Sequence, residues 1–263
     1  MDFGIEGKIA LVTAASKGLG RASAEELSRE GCRLAICSRN EAEIAQVAKE
    51  IAEATGNEVV PFVADVSQAD QIDALLTGVR EKLGDPDIVV VNAGGPKSGR
   101  YADIGLEDYP VAVELTMMSG VRLTHATLPA MRAKGWGRIV FISSISVKQP
   151  IPNLLLSNMT RAGLTGFIKT VASEVAASGV TLNQVLPGAH DTDRVRSNAA
   201  QEAQTKGLAV EEVLTHRAQT TPMKRLGEPR ELAALVTFLA SARSSFITGT
   251  STVVDGGSFS GLM

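Results

Sequence analysis

Short apolar runs alternate with helical-period stretches along the whole chain, and this alternation constrains the fold more than any other feature. The runs fall at 8–13 (KIALVT), 33–37 (RLAIC), 59–63 (VVPFV), 88–92 (IVVVN), 138–142 (RIVFI), 181–186 (TLNQVL) and 252–254 (TVV). Strands that are nearly all apolar need cover on both faces, and a parallel sheet obtains it from its crossover helices. Stretches such as 41–54 and 68–83 carry the 3.6-residue period of such helices. Because crossovers are right-handed, the expected fold is α/β: a single doubly wound parallel sheet of seven strands with helices on both faces. Ligand crevices in such a sheet open at the carboxyl ends of the strands, so function is expected just after each strand.

No linker or low-complexity segment divides the 263 residues, which are read as one domain spanning 1–263. The long polar stretch at about 187–227 is expected to form a mobile lid carrying short helices. With 26 Lys and Arg against 29 Asp and Glu and no basic block, nucleic acid is disfavoured as a partner. The start MDFGIEGK has no basic segment before an apolar one, and no apolar run approaches membrane-span length, so neither export nor a membrane partner is expected. Cys32 and Cys37 are five apart in one expected strand and face opposite ways, which argues against a disulfide and suits a reducing cytoplasm. No metal site is expected.

The first strand runs into Thr13-Ala14-Ala15-Ser16-Lys17-Gly18-Leu19-Gly20 and then a helix. Glycines at 18 and 20 let backbone approach a pyrophosphate, and the helix start supplies unpaired N–H groups and a positive dipole end. Ala14 stands where the usual dinucleotide fingerprint has a glycine. The second strand ends in Ser38-Arg39, where an acid would bind the ribose hydroxyls of NAD. A guanidinium at Arg39, a hydroxyl at Ser38 and the charge of Lys17 suit a 2′-phosphate instead, which favours NADP(H) over NAD(H). Asp65-Val66 and Asn92-Ala93-Gly94 end the third and fourth strands at crevice-facing positions.

These motifs resemble the short-chain dehydrogenase/reductase family, in its 3-oxoacyl-acyl-carrier-protein-reductase-like form, and a Rossmann-like fold goes with that resemblance. The matching pieces are TAASKGLG, ADV at 64–66, NAG at 92–94, GRIVFISS at 137–144, PG at 187–188 with Thr192, and ITGTSTVVDGG near the end. The resemblance implies that Thr13, Ser16, Gly18, Leu19 and Gly20 form the phosphate loop and that Asp65 and Val66 touch adenine. It likewise implies that Asn92, Ala93 and Gly94 line the cofactor, and that Pro187, Gly188 and Thr192 hold its nicotinamide end. A homodimer or homotetramer, paired through helices at about 106–133 and 153–177, is implied as well.

The catalytic positions depart from the family pattern. Ser144 matches the serine that polarises a substrate carbonyl, but the tyrosine position thirteen residues on is Ser157 and the lysine position four further is Arg161. The asparagine that supports a proton-relay water aligns with Thr116. Arg161 can still hydrogen-bond a ribose hydroxyl but cannot titrate near neutrality, and Ser157 lacks an accessible phenolate. Lys148, His190 and Asp191 are the candidate replacements, with His190 the best titrating group; a solvated lid residue is its plainer reading. Lys97 and Arg100 sit on the expected crevice rim, more simply as solvated loop charges than as holders of an acidic substrate. His125 and His216 are expected to be structural or exposed, and Trp136 a packing residue. Three functions stay open: an NADP(H)-linked oxidoreductase of carbonyls or alcohols, an NADP(H)-binding protein with little reductase activity, and a non-redox enzyme using the nucleotide structurally.

Overall fold

A computed structural model describes residues 2–262. In chain order the elements are β1 (Ile9–Val12), α1 (Gly18–Arg29), β2 (Arg33–Ser38), α2 (Glu41–Thr55), β3 (Val59–Val63), α3 (Ala69–Lys82), β4 (Ile88–Val91) and α4 (Asp108–Val113). They continue with α5 (Ser119–Lys134), β5 (Gly137–Ile142), α6 (Leu155–Val175), β6 (Val180–Pro187), α7 (Asp193–Lys206), α8 (Val210–Thr220), α9 (Pro229–Leu239) and β7 (Ser251–Val254). The strands form one seven-stranded parallel sheet in the order β3-β2-β1-β4-β5-β6-β7. The order reverses between β1 and β4, so the chain leaves these two neighbours toward opposite faces and a crevice opens between them.

Alternate strand residues feed two cores. Leu11, Val89, Ile139 and Phe141 point toward α3, α5 and α6, where Val79, Leu123 and Leu164 meet them. Val12, Ile36, Val90 and Val140 point toward α1, α2 and α9, where Leu27, Ile44 and Val236 close the layer. Each such side chain contributes roughly 1.5–3 kcal/mol by leaving water. Cys37 belongs to the first core and Cys32, just ahead of β2, to the second; both thiols are free, and burial pushes each up to about 12. Trp136 packs as expected, with Lys8 and Arg138 at 4.5 and 4.6 Å from its ring centre. His125 and His216 are exposed. Among the described residues no helix is long and apolar enough to cross a membrane.

The first of the two long helices starts at Asp108 and is interrupted by a π-turn over Glu114–Met118, which contains Thr116. Such turns widen a helix locally and gather at functional sites. The segment 187–227 holds α7 and α8, pinned together by the buried Ala199, Ala203 and Val213. Its two ends are stitched: the Asp191 amide donates to Gly227 O at 2.8 Å and the Gly227 amide to Ala189 O at 3.0 Å. This corrects the reading of His190 as solvated. The ring is 3% exposed and lies so close to Gly227 that a Cβ there would stand 2.8 Å from it.

Burial holds the His190 imidazole below its ordinary value of 6.5, only partly offset by the Gly188 carbonyl near Nδ1. The unfolded chain therefore takes up a proton that the folded chain refuses. His190 stabilises the fold fully above pH 6.5, and that contribution is lost as the pH falls below it. Denaturant midpoints measured between about pH 5 and 7.5 should fall with acid more steeply in the native chain than in a His190→Gln variant. Parallel pH profiles would show that the ring does not report its own burial.

Candidate cofactor and catalytic site

The phosphate loop is built where β1 ends beside β4. Thr13 is fully buried; its Oγ1 donates to Asn92 O at 2.7 Å and accepts from the Asn92 amide at 2.9 Å. Its hydroxyl is thus spent on holding the two strand ends together. The Asn92 side-chain amide donates to Ala14 O at 3.1 Å, and a Cβ on Gly20 would stand 2.4 Å from that oxygen and 2.6 Å from Asn92 Nδ2. Only glycine fits position 20. Gly18 opens α1 at φ +59°, a conformation glycine adopts without strain. Ser16 and Leu19 are half-buried beside it. The result is a tight backbone cradle on a helix N-terminus, which fits a phosphate-bearing nucleotide.

The chain after β6 folds over this loop. Thr192 caps α7, its Oγ1 accepting from the Val195 amide at 3.4 Å, and its methyl group lies 3.4 Å from where a Gly18 Cβ would be. Lys17, Gly18, Arg21, Thr192, Asp193 and Pro229 surround a cleft of ≈ 250 Å³. Lys17 is not a free charge here, because its Nζ lies 3.7 Å from Asp193. Pro187 and Gly188 enter the same region, and the Gly188 amide is tied to Val254 O at 2.9 Å.

At the end of β2, Ser38 is buried and donates to Asn40 O at 3.1 Å, whereas Arg39 is exposed and, among the described residues, has no carboxylate partner. The Asp65 carboxylate accepts from the Ser67 amide and hydroxyl at 2.9 and 2.8 Å and so caps the turn after β3. Val66 is buried, Ala93 half-buried and Gly94 exposed, so the crevice floor is lined by small groups and backbone.

At the other end of the crevice, Ser144 follows β5 and its Oγ accepts from the Ser146 amide at 3.1 Å, leaving the hydroxyl proton available. Ser157 and Arg161 lie one turn apart on α6, both buried. Arg161 donates from Nε to Ser157 Oγ at 3.2 Å and from Nη1 to Ile142 O at 3.1 Å. Burial, and then the charge of Arg194, bring its guanidinium down to about 10. Thr116 is buried and shares a 2.6 Å hydrogen bond with Thr160, so its hydroxyl clamps the π-turn to α6.

The three candidate proton donors are not gathered at Ser144. Asp191 is paired with Arg196 at 2.8 Å, Lys148 lies 5.7 Å from the centre of the Phe259 ring, and His190 is sealed under Gly227. Lys97 and Arg100 are exposed loop charges, as their plainer reading expects, Lys97 paired with Asp108 at 2.7 Å and Arg100 donating to Asn153 at 2.6 Å. Arg194 is the residue that sequence reasoning missed. Its guanidinium lies over Gly95 and donates to Pro96 O at 2.9 Å and Ser98 Oγ at 3.3 Å. Its only sequence signal is its place two residues after Thr192, which any solvated helix charge could share.

Ala14 has φ +48°, in the left-handed region that L side chains avoid. Replacing it with glycine should stabilise the protein by about 1 kcal/mol, seen as a higher denaturant midpoint, with nucleotide affinity retained. A lower midpoint would mean that the alanine conformation is not strained.

A family model described as Enoyl-(Acyl carrier protein) reductase matches residues 13–258. Oxidoreductase UcpA of Escherichia coli is 35% identical over 255 residues, covering 97% of this chain and 95% of that protein. The 3-oxoacyl-(acyl-carrier-protein) reductase FabG of Vibrio cholerae is 34% identical over 255 residues, covering 97% and 98%. L-Sorbose reductase from Gluconobacter frateurii, solved with NADPH and L-sorbose, matches with a TM-score of 0.95 at 33% identity over 100% of both chains. The glycine cradle, the strand order and matches across nearly the whole length agree, and the chain belongs to the short-chain dehydrogenase/reductase family.

Proposed function

We propose that the protein is an NADP(H)-dependent oxidoreductase that interconverts a carbonyl compound and its alcohol through a non-standard catalytic site. The observation that carries this reading is the unpaired guanidinium of Arg39 beside Ser38, on the same crevice as the Gly18–Gly20 cradle. Similar reductases solved with NADPH or NADP support the same cofactor. When bound, NADPH would supply a hydride, two electrons with one hydrogen, to the carbonyl carbon, and the carbonyl oxygen takes up one proton to complete the alcohol.

The chain's own groups divide the remaining work. Ser144 Oγ donates to the carbonyl oxygen, and the fixed charge of Arg161 stabilises the negative charge that develops there. Ser157 orients Arg161 through Nε and is too short and too weakly acidic to replace a phenol. The proton comes from water, since neither Ser157 nor Arg161 titrates near neutrality. Thr13 and Asn92 hold the loop, Asp65 and Val66 shape the adenine end, and Pro187, Gly188 and Thr192 shape the nicotinamide end. The 187–227 segment serves as the lid. Free buried thiols suit a reducing cytoplasm, and the groove of ≈ 320 Å³ between α5 and α6, lined by Leu128, Phe167 and Val171, suits pairing into a homodimer or homotetramer.

Binding titrations should show NADPH bound more tightly than NADH, with the preference reduced roughly ten- to a hundredfold by Arg39→Ala. Stopped-flow NADPH oxidation across a carbonyl panel should find turnover that Ser144→Ala lowers by about 10²–10³. Equal affinity for the two nucleotides would overturn the cofactor assignment. Tight NADPH binding without turnover of any carbonyl would make the protein a nucleotide-binding member of its family, since Ser157 and Arg161 occupy the decisive positions.

A further inference from the structure

Two arginines reach one end of the crevice with no acid between them. Arg161 is 9% exposed and is bonded only to neutral oxygens, Ser157 Oγ and Ile142 O, while its Nη2 makes no hydrogen bond. Arg194 is likewise held only by neutral oxygens, Pro96 O and Ser98 Oγ. Because β4 and β5 are neighbours in the sheet, the Pro96–Ser98 loop and the Ile142 carbonyl flank the same strand-end opening, beside Ser144.

The acids at the start of α7 are committed elsewhere. Asp193 faces Lys17 at 3.7 Å and Asp191 pairs with Arg196 at 2.8 Å. Among the described residues, neither Arg161 nor Arg194 has a carboxylate within ion-pair distance, although Arg196, two residues along the same helix, has one. Leaving a buried guanidinium uncompensated is costly, and a second one close by adds to the cost. Burial lowers the affinity of Arg161 for its proton and the charge of Arg194 lowers it further; Arg194 is itself exposed at the surface and only partly desolvated. An anion placed between them would relieve both.

We infer that Arg161 and Arg194 together form a specificity site for a carboxylate carried by the carbonyl substrate within a few atoms of its reacting carbon. This rests on the reductase reading above. The planar fork of a guanidinium matches a carboxylate through two parallel hydrogen bonds. Ser157 contributes by holding Nε of Arg161, which leaves Nη2 without a hydrogen bond of its own.

Benzoylformate and acetoacetate, each compared with its uncharged methyl ester, test the assignment. Calorimetric binding to the protein alone and to its NADP⁺ complex gives a readout independent of turnover, and kcat/KM with NADPH gives the second. Both acids should bind and react better than their esters, and Arg194→Met should reduce that advantage by roughly ten- to a hundredfold while leaving the esters unchanged. Acids and esters bound alike, or an Arg194→Met variant that weakens both equally, would overturn the inference. So would a tenfold loss of NADP⁺ affinity in that variant without substrate, which would assign Arg194 to the cofactor diphosphate. Selective acid binding without turnover would uphold the anion site and refute the reductase reading, whereas turnover of the esters without preference for the acids would do the reverse.

Discussion

The tie between Thr13 and Asn92 is the contact on which the crevice depends. Parallel strands diverge where their crossovers leave for opposite faces, and at β1 and β4 that divergence opens the ligand site. Without a restraint the two ends would also be free to separate. The Thr13 hydroxyl, fully buried, bonds both the carbonyl and the amide of Asn92, and the Asn92 side chain then reaches back to Ala14 O. These three bonds set how closely the phosphate loop approaches β4. They leave no space for a side chain at position 20 and hold Ala14 in a conformation it would not choose.

At the positions proposed as catalytic, the side chains fit one another as a set. A guanidinium at 161 is longer than an ammonium and needs several acceptors; it finds them in Ser157 Oγ and Ile142 O because residue 157 is small. A bulky residue at 157 would occupy the volume into which the guanidinium now turns. Thr116 and Thr160 bond each other across the π-turn and α6, which uses the hydroxyl that a relay water would otherwise meet. In the proposed reaction this set would supply a fixed positive charge, and a fixed charge acts by stabilising and positioning rather than by moving a proton.

The layer architecture was legible because it is written in local pattern. All-apolar strands, helical periods and the glycines at 18 and 20 each report a backbone requirement that no tertiary partner can alter. Arg39 was legible for a related reason: the end of β2 lies at the crevice whatever the rest of the chain does. Isolated polar side chains were not. His190 looked solvated because its surroundings in sequence are polar, yet the bridge to Gly227, far along the chain, buries it. Lys97 read as a solvated loop charge and Lys17 as a charge for the 2′-phosphate, with no sign of Asp108 and Asp193 beside them, and Arg194 became visible only once it lay over Gly95.

The placement of charge in the crevice follows from these pairings. The chain as a whole carries a formal charge of −3, but several acids near the crevice are already engaged: Asp193 with Lys17, Asp191 with Arg196, Asp65 with its own turn. Cations without acidic partners remain at both ends, Arg39 at the end of β2 and Arg161 with Arg194 near β5. A cleft lined by one sign of charge concentrates ligands of the other sign, even on a protein whose net charge opposes them. The first residues of α7 connect the two ends, because Asp193 faces the phosphate loop and the next residue, Arg194, reaches the loop after β4. A ligand that draws Lys17 away from Asp193 would therefore act on the same helical turn that carries Arg194.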